Sequence, residues 1–335
     1  MNRFSHLYLL ALGLAPAAVA QLTSFSVIDY PGAIFTQLVG INDAGDIVGR
    51  YTARDNKMHG FLLRGDRFTT IDFPDAVATG AMDINRAGVV AGWYDDAGGK
   101  RHGFLLSGGR FTTIDFPGAE MSYPTGINAK GELVGMHWNP SGDNKHRGYL
   151  FSGGRFTSLE YSAPNLMSCF FGINDEGDAV GHWQDTSGVR HGWLLRQGKM
   201  SSFDLPGAQQ TMMDIGSITS AGDIVGPYAD LRGKTKGFFL SKGSVTPFDV
   251  PGSRSTVALR MNASGQIVGR FEDAGGVTHG FLTRVAPASR SQLLTVDDDG
   301  ADCPGALRTI QEAVAQAPAG ATIQVCPGIY FKSVT

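Results

Sequence analysis

Six acidic residues recur along the chain at nearly constant intervals, at the end of segments such as FTTIDFP. They are Asp29, Asp72, Asp115, Glu160, Asp204 and Asp249. Basic residues recur with the same period at the start of HGFLL-like segments: His59, His102, Arg147, His191, Lys236 and His279. Carboxylates beside imidazoles can act as general acids and bases or bind a metal ion, provided that they converge on one point. Because each repeat contains one such acidic residue and one such basic residue, we expect them to be spread around the fold rather than gathered at one site.

The register of a hairpin decides which acidic residue faces which basic residue. If Gly65 and Asp66 form a two-residue turn, His59 lies opposite Asp72 on the neighbouring strand. The same reasoning predicts the cross-strand pairs His59–Asp72, His102–Asp115, Arg147–Glu160, His191–Asp204 and Lys236–Asp249. A sixth pair, His279–Asp29, is predicted if the N-terminal strand completes the sixth repeat. Such pairs contribute about 0.2–1 kcal/mol each and fix the register. They account for both residue types without a ligand, so we predict no metal site, no cofactor and no catalytic residue.

The elements that carry these residues are six sequence repeats. A further motif, GINDAGDIVG, recurs with an amide or hydroxyl residue in its first polar position: Asn42, Asn85, Asn128, Asn174, Thr219 and Asn262. Its Asn-Asp-Ala-Gly segment is typical of a turn between two strands. The HGFLL-like and FTTIDF-like segments supply two more strands, so each repeat contains four short antiparallel strands. Repeats of this kind are typical of β-propeller blades.

The first and last repeats share a blade in this interpretation. The sixth HGFLT segment has no FTTIDF strand after it, whereas a related segment, FSVIDY, precedes the first repeat. We expect residues 25–30 to pair with residues 280–283, which closes the ring and removes exposed edge strands. The predicted fold is all-β, a six-bladed β-propeller of four-stranded antiparallel blades over residues 21–284.

These motifs resemble the secreted HAF-type repeats, which are named for a His-Ala-Phe triplet that follows an Asn-x-x-Gly-x-Val-Val-Gly motif. The triplets here are HGF at His59, His102 and His279, HGW at His191, and RGY and KGF in the other two repeats. The resemblance spans nearly the whole predicted propeller. It implies an extracellular location and a repeat fold, and it transfers no activity.

Positions at which the repeats differ are better candidates for a binding site. The residue after each IVG-like segment changes type between repeats, and the next residue is aromatic in most of them, which indicates packing between blades. The ligand-binding candidates are Arg50, Trp93, His137, His182 and Arg270. Side chains of these types can line a channel or a ligand-binding face. Surface drift between repeats is the alternative explanation.

The two ends of the chain differ from the repeats. Residues 1–20 combine Arg3, an apolar run and a small-residue cleavage site, which is the pattern of a signal peptide. Residues 285–293 form a predicted linker, and residues 294–335 a short α/β segment. There, TIQEAV, PAGATIQV and PGIY resemble the N-terminal cap of right-handed β-helix proteins of the pectate-lyase and pectinesterase type. Such a cap is incomplete in this chain, because the later coils that carry catalytic residues are missing.

Because the predicted signal peptide implies export, we expect the three cysteines to lie in an oxidising compartment, where disulfides persist. Cys303 and Cys326 flank the predicted helix and are candidates for a disulfide, which would contribute roughly 3 kcal/mol if its geometry fits. Cys169 lies beside two phenylalanines, and we expect it to be buried and unpaired.

Composition excludes several function classes. A net charge of -3 over 335 residues gives no electrostatic footprint for nucleic acid, and no later apolar run is long enough to span a membrane. We expect a monomer that is secreted, either extracellular or periplasmic. The predicted function is a non-catalytic binding or scaffold propeller for a polysaccharide or a protein partner. The alternative is the targeting part of a carbohydrate-active β-helix enzyme, and calcium binding by the DAGD and DEGD loops stays open beside solvated turns.

Overall fold

The computed structural model describes residues 22, 24–162, 164–211, 214, 216–285, 293–296, 306–316 and 322–325. These residues fall into two compact units, the larger of which comprises the described residues up to 285. The predicted signal peptide and most of the predicted linker lie outside the described residues. No helix in the described part of the chain is long and apolar enough to span a membrane.

The larger unit is all-β and its strands pair antiparallel within each repeat, with four strands in the regular repeats. A single parallel contact between Arg147 and Ser168 joins the third and fourth repeats into one eight-stranded sheet. Strand β1 (Ser26–Ile28) precedes the first repeat, which contains β2 (Phe35–Ile41), β3 (Ile47–Thr52), β4 (Met58–Arg64) and β5 (Arg67–Ile71). The second and third repeats contain β6 (Ala78–Ile84), β7 (Val90–Asp95), β8 (Arg101–Ser107), β9 (Arg110–Thr113), β10 (Met121–Ile127), β11 (Leu133–Trp138), β12 (Arg147–Ser152) and β13 (Arg155–Leu159).

The remaining repeats differ in two details. The fourth and fifth contain β14 (Met167–Ile173), β15 (Ala179–Gln184), β16 (Arg190–Arg196), β17 (Lys199–Phe203), β18 (Ala208–Thr211), β19 (Ser217–Ile218), β20 (Ile224–Asp230), β21 (Thr235–Ser241) and β22 (Ser244–Phe248). Thus the first strand of the fifth repeat is divided into β18 and β19. The sixth contains β23 (Ser255–Met261), β24 (Gln266–Glu272) and β25 (Thr278–Arg284), and β1 is the fourth strand of its sheet.

Turn chemistry explains where the strands begin and end. Gly45, at the end of the first Asn-Asp-Ala-Gly turn, has a φ of 85°, a conformation that glycine adopts without steric cost. Two-residue turns join the third and fourth strands, so that Arg64 faces Arg67. This is the register from which the cross-strand pairs were predicted.

The asparagine of each turn connects neighbouring repeats. The Oδ1 atom of Asn42 accepts hydrogen bonds from Ala44 N (3.1 Å) and Asp46 N (2.9 Å) in its own turn. The Nδ2 atom donates to the carbonyl of the equivalent residue in the next repeat, and the series is Asn42 to Asn85 (3.3 Å), Asn85 to Asn128 (3.1 Å), Asn128 to Asn174 (3.0 Å), Asn174 to Thr219 (3.1 Å) and Asn262 to Asn42 (3.0 Å). An amide supplies both an acceptor and a donor, which explains the residue type.

The first and last repeats contact each other directly. Strand β1 pairs with β25 in antiparallel fashion, with Ser26 opposite Leu282 and Ile28 opposite Gly280. An isolated bridge between Leu22 and Val285 lies beyond this pairing. The two ends of the repeat array therefore share one sheet.

Apolar side chains fill the centre of the larger unit. In five repeats the first strand has a β-bulge shortly before the turn asparagine. Bulges re-aim side chains, and the bulged residues Val39, Met82, Phe171 and Leu259 belong to a single buried cluster. Because these residues come from four repeats, the cluster lies where the repeats converge.

The smaller unit contains β26 (Leu293–Val296), α1 (Ile310–Gln316) and β27 (Thr322–Val325). The two strands pair in parallel. The helix begins with a capping box, in which Glu312 N donates to Thr309 Oγ1 and Thr309 N donates to the Glu312 carboxylate. Cys303 and Cys326 lie outside the described residues, so their disulfide stays a prediction.

Candidate functional site

The larger unit has two faces, which the strand directions define. The first strand of each repeat runs towards the asparagine turn, so these turns share one face. The connections between second and third strands share the opposite face, which we call the loop face. In the first repeat this connection is formed by residues 53–57.

The acidic and basic residues of the repeated motifs lie at the loop face, at the ends of the third and fourth strands. The Nδ1 atoms of four histidines lie close to carboxylates, at 2.9 Å for His59–Asp72, 2.7 Å for His102–Asp115, 2.9 Å for His191–Asp204 and 2.7 Å for His279–Asp29. Arg147 Nε donates to Glu160 at 3.0 Å. Each pair lies within its own sheet, which is the arrangement expected of cross-strand partners.

The fifth repeat departs from the predicted pairing. Lys236 Nζ lies 2.9 Å from Asp230, whereas Asp249 forms its ion pair with Lys234. The predicted contact between Lys236 and Asp249 is therefore corrected to two separate ion pairs. The physical reason is that a long, flexible lysine reaches the loop aspartate, while Lys234 supplies the charge that Asp249 needs.

Three of the histidines also have a carboxylate at their second nitrogen. The Nε2 atoms lie 3.3 Å from a loop carboxylate in His102–Asp96, 3.4 Å in His191–Asp185 and 3.4 Å in His279–Asp273. Partial burial lowers the pKa of His191, but the hydrogen bonds and charges of Asp204 and Asp185 together outweigh this effect and raise it. The charged form of His191 is therefore favoured at the loop face.

An aromatic residue of the second strand stacks on an aromatic residue of the preceding connection. The ring centroids are 3.6 Å apart in Tyr51–Tyr30, 3.6 Å in Tyr94–Phe73, 3.7 Å in His137–Phe116 and 4.7 Å in Trp183–Tyr161. His137 therefore occupies the aromatic position, and Met136 is the third repeat's residue at the changing position. Burial lowers the pKa of His137 to about 4, and the nearby Arg147 acts in the same direction. A neutral imidazole thus stacks in the place of a tyrosine.

The other ligand-binding candidates lie at the loop-face end of the first and second strands. The residue pairs that face each other there are Gln37 and Arg50, Gly80 and Trp93, Cys169 and His182, and Val257 and Arg270. Tyr123, in the third repeat, occupies the position equivalent to Gln37. We call Gln37, Arg50, Trp93, Tyr123, His182 and Arg270 the loop-face centre.

Arg50 and Trp93 are brought together through Tyr123. Arg50 Nη1 donates to the Tyr123 hydroxyl at 3.3 Å, and its Nε donates to Gln37 Oε1 at 3.0 Å. The rings of Trp93 and Tyr123 are 6.0 Å apart and inclined by 28°. Because Tyr123 lies two repeats after Arg50, their hydrogen bond spans the middle of the loop face.

The indole of Trp93 is covered and only 2% exposed. The Arg101 guanidinium lies 3.7 Å above the Trp93 ring, and two hydrogen bonds of 2.7 and 2.8 Å hold it to Asp95. A Cβ atom at Gly80 would lie 2.6 Å from the indole, which explains the glycine opposite this large side chain. Trp93 is therefore fixed from both sides.

His182 and Arg270 have different surroundings at the same level. His182 is buried, with its ring 4.9 Å from Phe171 and its Nε2 3.4 Å from the Met167 sulfur. Arg270 Nη2 donates to Asp214 at 3.0 Å, and its side chain is 31% exposed. Of the five candidates, the structure joins Arg50 and Trp93, places His182 against the central cluster, leaves Arg270 partly accessible and assigns His137 to the aromatic stacks.

Sequence reasoning missed a buried ion pair beneath the loop-face centre. The position two residues before the turn asparagine or threonine is glycine or serine in four repeats, but it is Asp83 in the second and Arg260 in the sixth. Arg260 Nε lies 3.3 Å from Asp83 Oδ1, and both side chains are 6% exposed. The sequence did contain a signal for this ion pair. Two charged residues of opposite sign occupy a position that holds only small residues in the other repeats.

This ion pair ties several repeats together. Arg260 donates hydrogen bonds to backbone carbonyls of three other repeats, those of Thr125 (2.6 Å), Phe171 (3.4 Å) and Gly216 (3.4 Å). Asp83 Oδ2 accepts a hydrogen bond from Ile127 N at 2.9 Å. Burial raises the pKa of Asp83, and the opposing charge of Arg260 restrains that rise. The pair therefore contacts groups from five repeats.

The loop face also carries large exposed apolar side chains. They are Ile34, Val77, Leu166, Leu231 and Val277, all in the connections that reach this face. Each of them comes from a different repeat, and surface apolar residues scattered singly in this way are normal.

Comparison with known proteins gives similarity of fold. No protein-family model and no curated protein matches the sequence. Among solved structures, AofleA of Arthrobotrys oligospora is 13% identical, with a TM-score of 0.51 over 78% of this chain and 86% of that chain.

Two further solved structures are similar at lower scores. The fucose-recognising six-bladed β-propeller lectin of Aleuria aurantia is 14% identical, with a TM-score of 0.42 over 69% and 79%. The gluconolactonase XC5397 of Xanthomonas campestris is 12% identical, with a TM-score of 0.48 over 81% and 97%. At these identities the comparisons concern the fold alone: the larger unit is an all-β domain of mainly four-stranded antiparallel sheets, with a fold similar to that of AofleA.

Proposed function

We propose that this chain is a secreted, non-catalytic β-propeller that binds a carbohydrate at the loop-face centre. The observation that carries the proposal is the convergence of Arg50, Trp93 and Tyr123 from three successive repeats. Saccharides present several hydroxyl acceptors beside apolar C–H faces. A site that combines fixed N–H donors with aromatic rings matches that chemistry.

In the proposed fold the six repeats form six blades and close into a ring. The pairing of β1 with β25 supports closure, as do the ion pair of His279 with Asp29 and the hydrogen bond from Asn262 to the carbonyl of Asn42. A closed ring joins its first and last repeats, leaves only the short outer strand of each blade as an edge and holds the loop-face centre rigid. Rigid presentation reduces the entropic cost of binding.

The proposed non-catalytic role rests on how the ionisable groups are used. The repeated carboxylates are paired with a histidine, arginine or lysine within their own sheets, as in His59 with Asp72. General acid–base catalysis needs such groups to converge on one reacting bond. In the described residues no group of three or more His, Cys, Asp or Glu side chains is placed to hold a metal ion.

A glycan array tests the proposal. The full chain, labelled on lysine, is applied to an array of neutral and acidic oligosaccharides beside a variant in which Trp93 is replaced by phenylalanine. We expect the native chain to bind a defined subset of glycans and the variant to bind the same subset more weakly. Binding to no glycan, or equal binding by both proteins, contradicts the proposal. Mass spectrometry of the exported protein, with Gln21 as its expected first residue, tests secretion.

A second candidate function is favoured by the smaller unit. The parallel pairing of β26 with β27 is the arrangement on which stacked β-helix coils are built. In this case the propeller would target a carbohydrate-active β-helix enzyme to its polymer. Sequencing the coding DNA beyond the codon for Thr335 distinguishes the two, because further in-frame coils would favour the enzyme.

A further inference from the structure

The loop-face centre has an excess of positive charge. Arg101 is balanced by Asp95 and Arg270 by Asp214. Arg50 is half buried, and its hydrogen bonds go to two neutral groups, Gln37 Oε1 and the Tyr123 hydroxyl. Among the described residues, no carboxylate lies within ion-pair distance of Arg50. One guanidinium of this group therefore lacks a counter-charge.

The same group has an excess of buried hydrogen-bond donors. Trp93 Nε1 and Gln37 Nε2 are shielded from solvent and have no hydrogen-bond partner among the described residues. The orientation of the Gln37 amide is fixed, because Arg50 Nε can only donate and so requires the oxygen of the amide. The amide nitrogen is therefore the unpartnered atom, on a side chain that is 1% exposed.

An unpartnered buried donor has lost its hydrogen bonds to water without gaining a protein partner, which is unfavourable. A group that holds two such donors and an uncompensated guanidinium gains most from an acceptor with a negative charge. A carboxylate has two acceptor oxygens and pairs with arginine in a fork geometry. A neutral hydroxyl could satisfy a donor, but it would not balance the charge of Arg50.

We infer that the loop-face centre binds a carboxylate-bearing sugar residue, with Arg50 on the carboxylate and the N–H groups of Gln37 and Trp93 on its acceptor oxygens. This inference rests on the proposed function, since it names the saccharide class of the same site. Arg50 sets the specificity for acidic over neutral sugars. Tyr123 positions Arg50 through the 3.3 Å hydrogen bond to its Nη1.

Isothermal titration of the full chain tests the inference with three probes: D-glucuronate, D-glucose and acetate. We expect glucuronate to bind at least tenfold more tightly than either of the others. Replacing Arg50 with glutamine should weaken glucuronate binding at least tenfold and weaken any glucose binding by a clearly smaller factor. The matched control is Arg54→Gln, which makes the same chemical change on an exposed loop-face residue of the same repeat and should alter affinity less than twofold.

The possible results separate this inference from the proposed function. Equal affinity for glucose and glucuronate, or unchanged glucuronate binding by Arg50→Gln, overturns the inference, while saccharide binding itself upholds the proposed function. If acetate binds as tightly as glucuronate, the claim that the site recognises a sugar residue is overturned, because the carboxylate alone then accounts for binding. Binding of neither sugar, together with a blank glycan array, overturns both. If Arg50→Gln does not fold, Trp93→Phe carries the test, with at least threefold weaker glucuronate binding expected.

Discussion

Breaking the buried pair of Asp83 and Arg260 should destabilise the larger unit more than breaking a surface ion pair does. Replacing Asp83 with asparagine preserves the shape of the side chain but leaves the Arg260 guanidinium buried without its counter-charge. Removing one partner of a buried ion pair costs about 3–5 kcal/mol. For a unit of this size, such a loss corresponds to a decrease of about 6–20 °C in Tm.

A double-mutant cycle measured by chemical denaturation isolates the interaction. The variants are Asp83→Asn, Arg260→Met and the double variant. We expect the double variant to lose clearly less stability than the two single losses together, because neither charge is then left uncompensated. The matched surface control is Asp46→Asn, which breaks the 2.8 Å pair with the exposed Arg64 and should cost less than about 1 kcal/mol.

Two results would refute this reasoning. If the single losses add to the double loss within about 0.5 kcal/mol, the two residues are not coupled. If Asp83→Asn costs no more than Asp46→Asn, the buried pair does not link the repeats energetically.

Three further predictions concern the loop face and the turns. Burial lowers the pKa of His137 to about 4, so this residue binds a proton more readily in the unfolded chain. Stability should therefore fall as pH decreases from 6.5 towards 4, by about 3 kcal/mol at most from this residue. His137→Tyr should make the slope clearly shallower in urea titrations at several pH values. Partial burial lowers the pKa of His279, but the hydrogen bonds and charges of Asp29 and Asp273 together outweigh it and raise the pKa. The contribution of the His279–Asp29 pair is therefore complete below about pH 6.5 and is lost as pH rises through the raised value. Asp29→Asn should remove about 0.2–1 kcal/mol at pH 6 and less at pH 9 in the same assay. Asn85→Ala should cost about 1–3 kcal/mol in thermal or urea unfolding, because it leaves the buried carbonyl of Asn128 without its 3.1 Å donor.

Local chemistry made much of the fold predictable. Asn-Asp-Ala-Gly segments and two-residue turns fix hairpins within one repeat, and Arg64 does face Arg67 as the turn length requires. The pairing of His59 with Asp72 follows from the same register. In the fifth repeat the register also holds, but it does not decide between two lysines that can each reach an aspartate.

The candidate site was harder to predict, because it depends on contacts between distant repeats. Alignment of the glycine before Met136 with the glycine before Arg50 would have placed His137 among the aromatic residues. The meeting of Asp83 with Arg260 depends on a contact across 177 positions of the chain, which no local pattern contains. The contact of Arg50 with Tyr123 likewise spans two repeats.

The most direct test of the account is the indole N–H resonance of Trp93 in ¹⁵N–¹H spectra of the full chain. The chain has four tryptophans, so the spectrum contains few indole signals, and Trp93→Phe assigns this one by its loss. We predict that saturating D-glucuronate shifts the Trp93 indole resonance and that Arg50→Gln abolishes the shift. Glucuronate that leaves this resonance unchanged at saturation would contradict binding at the loop-face centre.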